Sequence, residues 1–196
     1  MGLKDHEIDT LLWNQFKNGE QDAFAEIFRK YYPGLFNYGC RISTDSNLVE
    51  DCIQELFMDM WRTSGKADII SLKAYIFKAF KFKLIKLLAK NNKTIPLTDE
   101  NNEHSFELSR EALLINNEQN AENAKKVTDA IEMLSPRQKE IIYLKFYLGL
   151  SYEEVSDIMQ INYQAARNLI YQVIKMLKKA MVLGFSIALF KSLPWE

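Results

Sequence analysis

The sequence predicts an all-α chain: two small helical domains joined by a flexible acidic linker. Three observations carry that expectation. Apolar residues recur at helical spacing nearly throughout, and no run alternates apolar with polar residues as a strand does. Glycine and proline number only seven and four in 196 residues. Charge is segregated. From Lys66 to Lys93 eight lysines face one acid, Asp68, whereas from Asp99 to Glu122 seven acids face one base, Arg110. The net charge of −1 therefore conceals a basic helical segment followed by an acidic tether.

The first domain is expected over residues 9–92. Asp9 to Asn18 reads as a short helix stopped at Gly19. Gln21 to Ile42 is a longer helix, rich in core aromatics, which Pro33-Gly34 should kink or break. Ser43-Thr44-Asp45 is a turn and cap, and Asp45 to Arg62 is the next helix. Its apolar face holds Val49, Cys52, Ile53, Leu56, Phe57 and Met60; its opposite face holds Asp51, Gln54, Glu55, Met58 and Arg62. Ser71 caps a helix running to Lys90, with apolar residues at nearly every angle. Leu72, Ile76 and Leu87 suit its core face, and the aromatics left over suit stacking on unpaired bases between phosphate-tracking lysines. Residues 93–117 form the linker.

The second domain is expected over 118–183. Glu118 to Leu134 is helical. Ser135-Pro136 starts a helix that Gly149 ends, and Ser151 with Glu154 makes a capping box for the next. Asn162 caps a last, basic helix with no acid between Asp157 and Glu196. Helix, turn, short helix, turn and basic helix is the grammar of a helix-turn-helix DNA reader. Gln164, Arg167 and Asn168 near that helix's start are side chains suited to base edges, beside Tyr163 and, further on, Lys175. Residues 184–196 belong to an apolar tail beginning near Ala180, too short to span a bilayer, which packs on the domain or binds a partner.

Asp51-x-x-Gln54-Glu55-x-Phe57-x-x-x-Trp61 resembles the most recognisable segment of bacterial sigma factors. The FAEIFRKYYPGLFNYGCRI before it is similar to that family's first core helix. The size and two-domain layout resemble its extracytoplasmic-function (ECF) branch. The resemblance implies that Asp51, Gln54, Glu55, Met58 and Trp61 dock on the β′ clamp helices of core RNA polymerase, with the β flap as a further contact. It implies that Lys73, Lys78, Lys81, Phe82 and Lys86 melt and read the minus-ten promoter element. Tyr163, Gln164, Arg167, Asn168 and Lys175 would then read the minus-thirty-five element. An anti-sigma partner is implied as well. The chain departs from the family where an Arg-Asn pair is commonly found, having Lys81-Phe82, and where an Asp and then an Arg follow, having Lys86 and Ala89. Ala165-Ala166 stands in place of the more usual Thr-Val.

Other classes find less support. No nucleophile–base pair, phosphate loop or metal cluster is visible, so no cofactor, small-molecule substrate or enzymatic activity is expected. His6 and His104 lie far apart. No signal peptide is read at the acidic N-terminus, which places the chain in the cytoplasm, with Cys40 and Cys52 as small buried hydrophobes. An autonomous helix-turn-helix regulator and a decoy that binds polymerase without opening DNA are the alternatives. The charge layout further predicts a closed free form, its acidic tether (Asp99, Glu100, Glu103, Glu107) drawn to the basic helices and released by salt.

Overall fold

The structure is a computed structural model that describes residues 3–63, 68–91, 105–108 and 129–191, with residues 3–4, 91 and 180–191 as backbone only. Four helices form the N-terminal unit: α1 (Leu3–Lys17), α2 (Gln21–Ile42), α3 (Ser46–Thr63) and α4 (Leu72–Asn91). Among the described residues there is no strand. The six residues buried on α3 are Val49, Cys52, Ile53, Leu56, Phe57 and Met60, the face its periodicity predicts.

Two sequence-based boundaries change. First, α1 begins at Leu3 rather than Asp9, and Asp9 lies buried inside it. Its carboxylate accepts from Lys30 at 2.7 Å and from the Tyr31 hydroxyl at 2.6 Å, which meets the cost of burying it. Second, α2 runs unbroken through Pro33. An interior proline costs roughly 3 kcal/mol. Ile27, Tyr31, Leu35, Tyr38 and Ile42 are buried along the helix on both sides of it, and that packing outweighs the lost bond. Gly39 on α2 answers a steric demand. A Cβ there would meet Val49 Cγ1 at 2.6 Å and Phe80 Cζ at 2.8 Å, so α2 approaches α3 and α4 closely only because the side chain is missing.

A helical turn at 129–132 leads into α5 (Pro136–Ile142), which Ser135 starts with a capping box to Gln138. The chain then widens into a π-turn over Tyr143–Tyr147, where the Leu148 N–H donates to Tyr143 O at 3.0 Å. Gly149 (φ 68°) reverses it. Next come α6 (Tyr152–Met159) and α7 (Tyr163–Lys191). Ser151 and Glu154 form the expected reciprocal box, and the Ala165 N–H donates to the Asn162 side chain at 2.7 Å. Gln160 takes a left-handed conformation (φ 53°) between the two helices. Gly184 and Ser186 do not end α7, whose backbone stays helical to Lys191. The Glu118–Leu134 helix is described only at its end; the tail's side chains and most of the 93–117 linker lie outside the described residues.

Most buried residues of both units form one continuous cluster, and Ile131, Leu134 and Val173 form a second, smaller one. Linker residue Phe106 is fully buried, its ring 5.8 Å from Tyr38 on α2 and 5.7 Å from Tyr143. Beside it, the Glu107 N–H donates to Arg41 O at 2.9 Å and Arg41 donates back to Glu107 O at 3.3 Å. The sequence predicts a flexible tether here; the described part of it is a plug held by an aromatic ring, one backbone bond and one guanidinium–carbonyl bond. Cys52 is buried as expected, its thiol pushed up to about 12 by burial, whereas Cys40 is exposed because it lies on α2's outer side.

Candidate functional site

Three surfaces gather the residues singled out from the sequence. On α3, Asp51, Gln54, Glu55, Met58 and Trp61 are all exposed. Trp61 lies against Phe24 at 5.0 Å, and Phe24, Phe28, Gln54, Phe57, Met58, Trp61 and Arg62 line a groove of about 510 Å³. An apolar floor beneath acidic and amide side chains suits a partner helix carrying basic residues. Glu55 is not uncompensated. It and Asp59 accept from Lys83 on α4 at 3.0 and 2.8 Å. Burial pulls the Lys83 ammonium down, but these bonds outweigh it and leave its pKa raised.

The second surface is the N-terminal stretch of α7. Tyr163, Gln164, Arg167, Asn168 and Lys175 are exposed, while Ala166, Ile170 and Val173 face the core. Gln164 donates to Asn168 at 3.2 Å, and the Arg167 guanidinium lies 5.7 Å from the Tyr163 ring. Tyr171, 66% exposed, continues this stripe and was not among the sequence candidates. Its spacing of four from Arg167 was the available signal.

The third is α4, and here the structure departs from a simple exposed basic face. Phe82 and Lys86 are exposed. Lys73, Lys78 and Lys81 are each engaged by the C-terminal unit. The Lys73 amine donates to the Leu148 carbonyl, and burial lowers its pKa, with Glu154 pulling the other way. Lys78 meets Asp157 on α6 at 2.5 Å. Lys81, only 6% exposed, meets the 1% exposed Glu140 of α5 at 2.8 Å. The Tyr38 hydroxyl donates to the same Glu140 oxygen, and burial, then Glu140, holds that phenol well above its usual pKa. Ser71, at the start of α4, donates to Glu154 at 2.5 Å. Of α4's spare aromatics, Phe77 and Phe80 are buried and Tyr75 is half-buried, leaving Phe82 outward.

The acids of the C-terminal unit that meet α4 and the Ser71 before it are thus Glu140, Glu154 and Asp157. Asp99, Glu100 and Glu103 lie outside the described residues, and Glu107 reaches Lys139, within the C-terminal unit, at 3.5 Å. Among the described residues no His, Cys, Asp and Glu group could hold a metal ion, and no helix is long and apolar enough to cross a membrane.

Comparison with known proteins accounts for both units. Residues 27–94 match the family model Sigma-70 region 2, and residues 124–177 match Sigma-70, region 4. Similar curated proteins include the ECF RNA polymerase sigma factor SigK of Mycobacterium ulcerans (strain Agy99), 19% identical over 91% of this chain and 95% of that protein. SigK of Mycobacterium tuberculosis (strain ATCC 25618 / H37Rv) is 20% identical over 89% and 94%. Among solved structures, CnrH in complex with the cytosolic domain of CnrY matches with a TM-score of 0.58 at 18% identity, over 90% of this chain and 98% of that one. RpoE in complex with the anti-sigma factor NepR, from Bartonella quintana, matches with a TM-score of 0.54 at 19% identity, over 81% and 96%.

Proposed function

This chain belongs to the ECF branch of the sigma-70 factors, and from that premise we propose that its three surfaces divide the work of promoter-specific transcription initiation. The groove on α3, with Asp51, Gln54, Glu55, Met58 and Trp61, docks on the β′ clamp helices of core RNA polymerase. The helix α4 serves the minus-ten element. Lys73, Lys78, Lys81 and Lys86 track phosphates and Phe82 stacks on an unpaired base. The start of α7, with Tyr163, Gln164, Arg167, Asn168 and Lys175, enters the major groove at the minus-thirty-five element. The work is done by binding: the chain supplies recognition, and the polymerase supplies the chemistry. CnrH and RpoE are each recorded with a partner, NepR being an anti-sigma factor. By that likeness an anti-sigma factor holds this protein inactive, in the cytoplasm where the polymerase is.

The observation that supports the reading best is the pairing of both matched regions, in order, with exposed surfaces of the right chemistry on each. Run-off transcription with core polymerase tests it. Specific start sites are expected. Asp51→Lys with Glu55→Lys should weaken core binding at least about tenfold, with the helical circular-dichroism signal intact. Binding to core without initiation would leave a decoy, and promoter binding indifferent to core would leave an autonomous regulator.

A further inference from the structure

Each of the three α4 lysines nearest the C-terminal unit already has an oxygen acceptor from that unit: Leu148 O for Lys73, Asp157 for Lys78 and Glu140 for Lys81. Phosphate oxygens would make the same kind of contact to the same ammonium groups. We propose that the C-terminal unit acts as an intramolecular stand-in for nucleic acid, closing over α4 in the free protein, with Glu140 as its latch.

The geometry around Glu140 sets it apart from a surface ion pair. Its carboxylate is buried and takes both the Lys81 ammonium and the Tyr38 hydroxyl on one oxygen. Met159 Sδ lies 3.8 Å from the same ammonium. Around this point the rings of Tyr38 and Tyr143 stack at 5.9 Å, Phe106 plugs the side, and the Arg41 guanidinium covers Tyr143 at 4.6 Å. These residues come from α2, α4, the linker, α5, the π-turn and α6, so the latch exists only when the two units are together. A buried carboxylate needs its partners, and a lysine holding one is closed to a DNA strand. Lys86 and Phe82, outside the closure, stay exposed. The weak basal affinity that follows is the intrinsic one scaled by the fraction of open molecules.

The inference rests on the assignment of α4 to promoter contact, and the tests keep the two apart. In the unaltered free protein, amine acetylation followed by mass spectrometry should modify Lys81 and Lys73 at least about tenfold more slowly than Lys86, the rate tracking the open fraction. Equal rates would overturn the closure. Glu140→Gln combined with Asp157→Lys should speed labelling of Lys81 and raise the radius of gyration in small-angle scattering. It should also strengthen binding of a fluorescent single-stranded oligonucleotide, without polymerase, by about tenfold. Asp157 is exposed, so Asp157→Lys alone supplies a smaller shift of the same sign in a chain that still folds. Opening without a gain in oligonucleotide affinity would show that the covered face is not the DNA face and overturn the stand-in role. If affinity rises while core polymerase initiates with neither protein, the closure stands and the initiation reading falls.

Discussion

At the scale of single residues, the surface proposed to read the promoter should separate specificity from affinity. Arg167 stands beside Gln164 and Asn168 in the first turns of α7, where a bidentate contact discriminates bases by about 1–3 kcal/mol. Arg167→Ala should relax preference at one or two upstream positions, whereas Lys178→Ala should weaken all sequences evenly. Binding-site selection with each variant checks this, and an even loss from both would reduce Arg167 to a phosphate contact. The exposure of these residues was legible in advance because a capped helix exposes its first turn and the polar side chains there are few. Glu140 was not. A lone acid among PRQKEII reads as solvated, and its hydroxyl partner, Tyr38, lies 102 positions away. Local spacing carries no signal for a contact that only tertiary closure creates.

Elements were legible where one periodicity dominated. The buried face of α3 follows from its sequence because that helix has one core side and one outward side. The helix α4 defeated the same logic: apolar residues ring it because it is covered twice, by its own unit and by the other. Pro33 misled for a related reason, since local propensity is a weak prior against a helix buried along its length. Gly39 tests the packing that makes this so. Gly39→Ala would ordinarily favour a helix by about 0.5–1 kcal/mol. Here the new methyl group would overlap Val49 and Phe80, an overpacking that costs roughly 1–3 kcal/mol. Net destabilisation in urea unfolding is therefore expected, and a stabilised variant would mean that α2 can draw away from α3 and α4 freely.

For the whole molecule, what holds the units together decides how solution conditions act. The charge pattern alone predicts a clasp that salt releases. The structure places the central pair out of water and surrounds it with rings, and such a pair is screened far less than an exposed one. Lys78–Asp157, half open to solvent, is the one that salt should loosen. The radius of gyration is thus expected to change little as the Debye length falls from about 10 Å at 0.1 M to about 3 Å at 1 M. Expansion with salt would transfer the clasp to surface charge.

The π-turn at Tyr143–Tyr147 gives the latch an unexpected vulnerability. It is one residue wider than an α-helical turn, and each helical residue advances the chain by about 100°. Shortening it by one residue would leave Ser151, Glu154 and all of α7 in their own frame, but would swing α5 about a quarter-turn against them. Glu140 would then point away from Lys81 with its charge unchanged. Whether this protein closes is in that sense a question of phase: a clock hand set by the length of one turn.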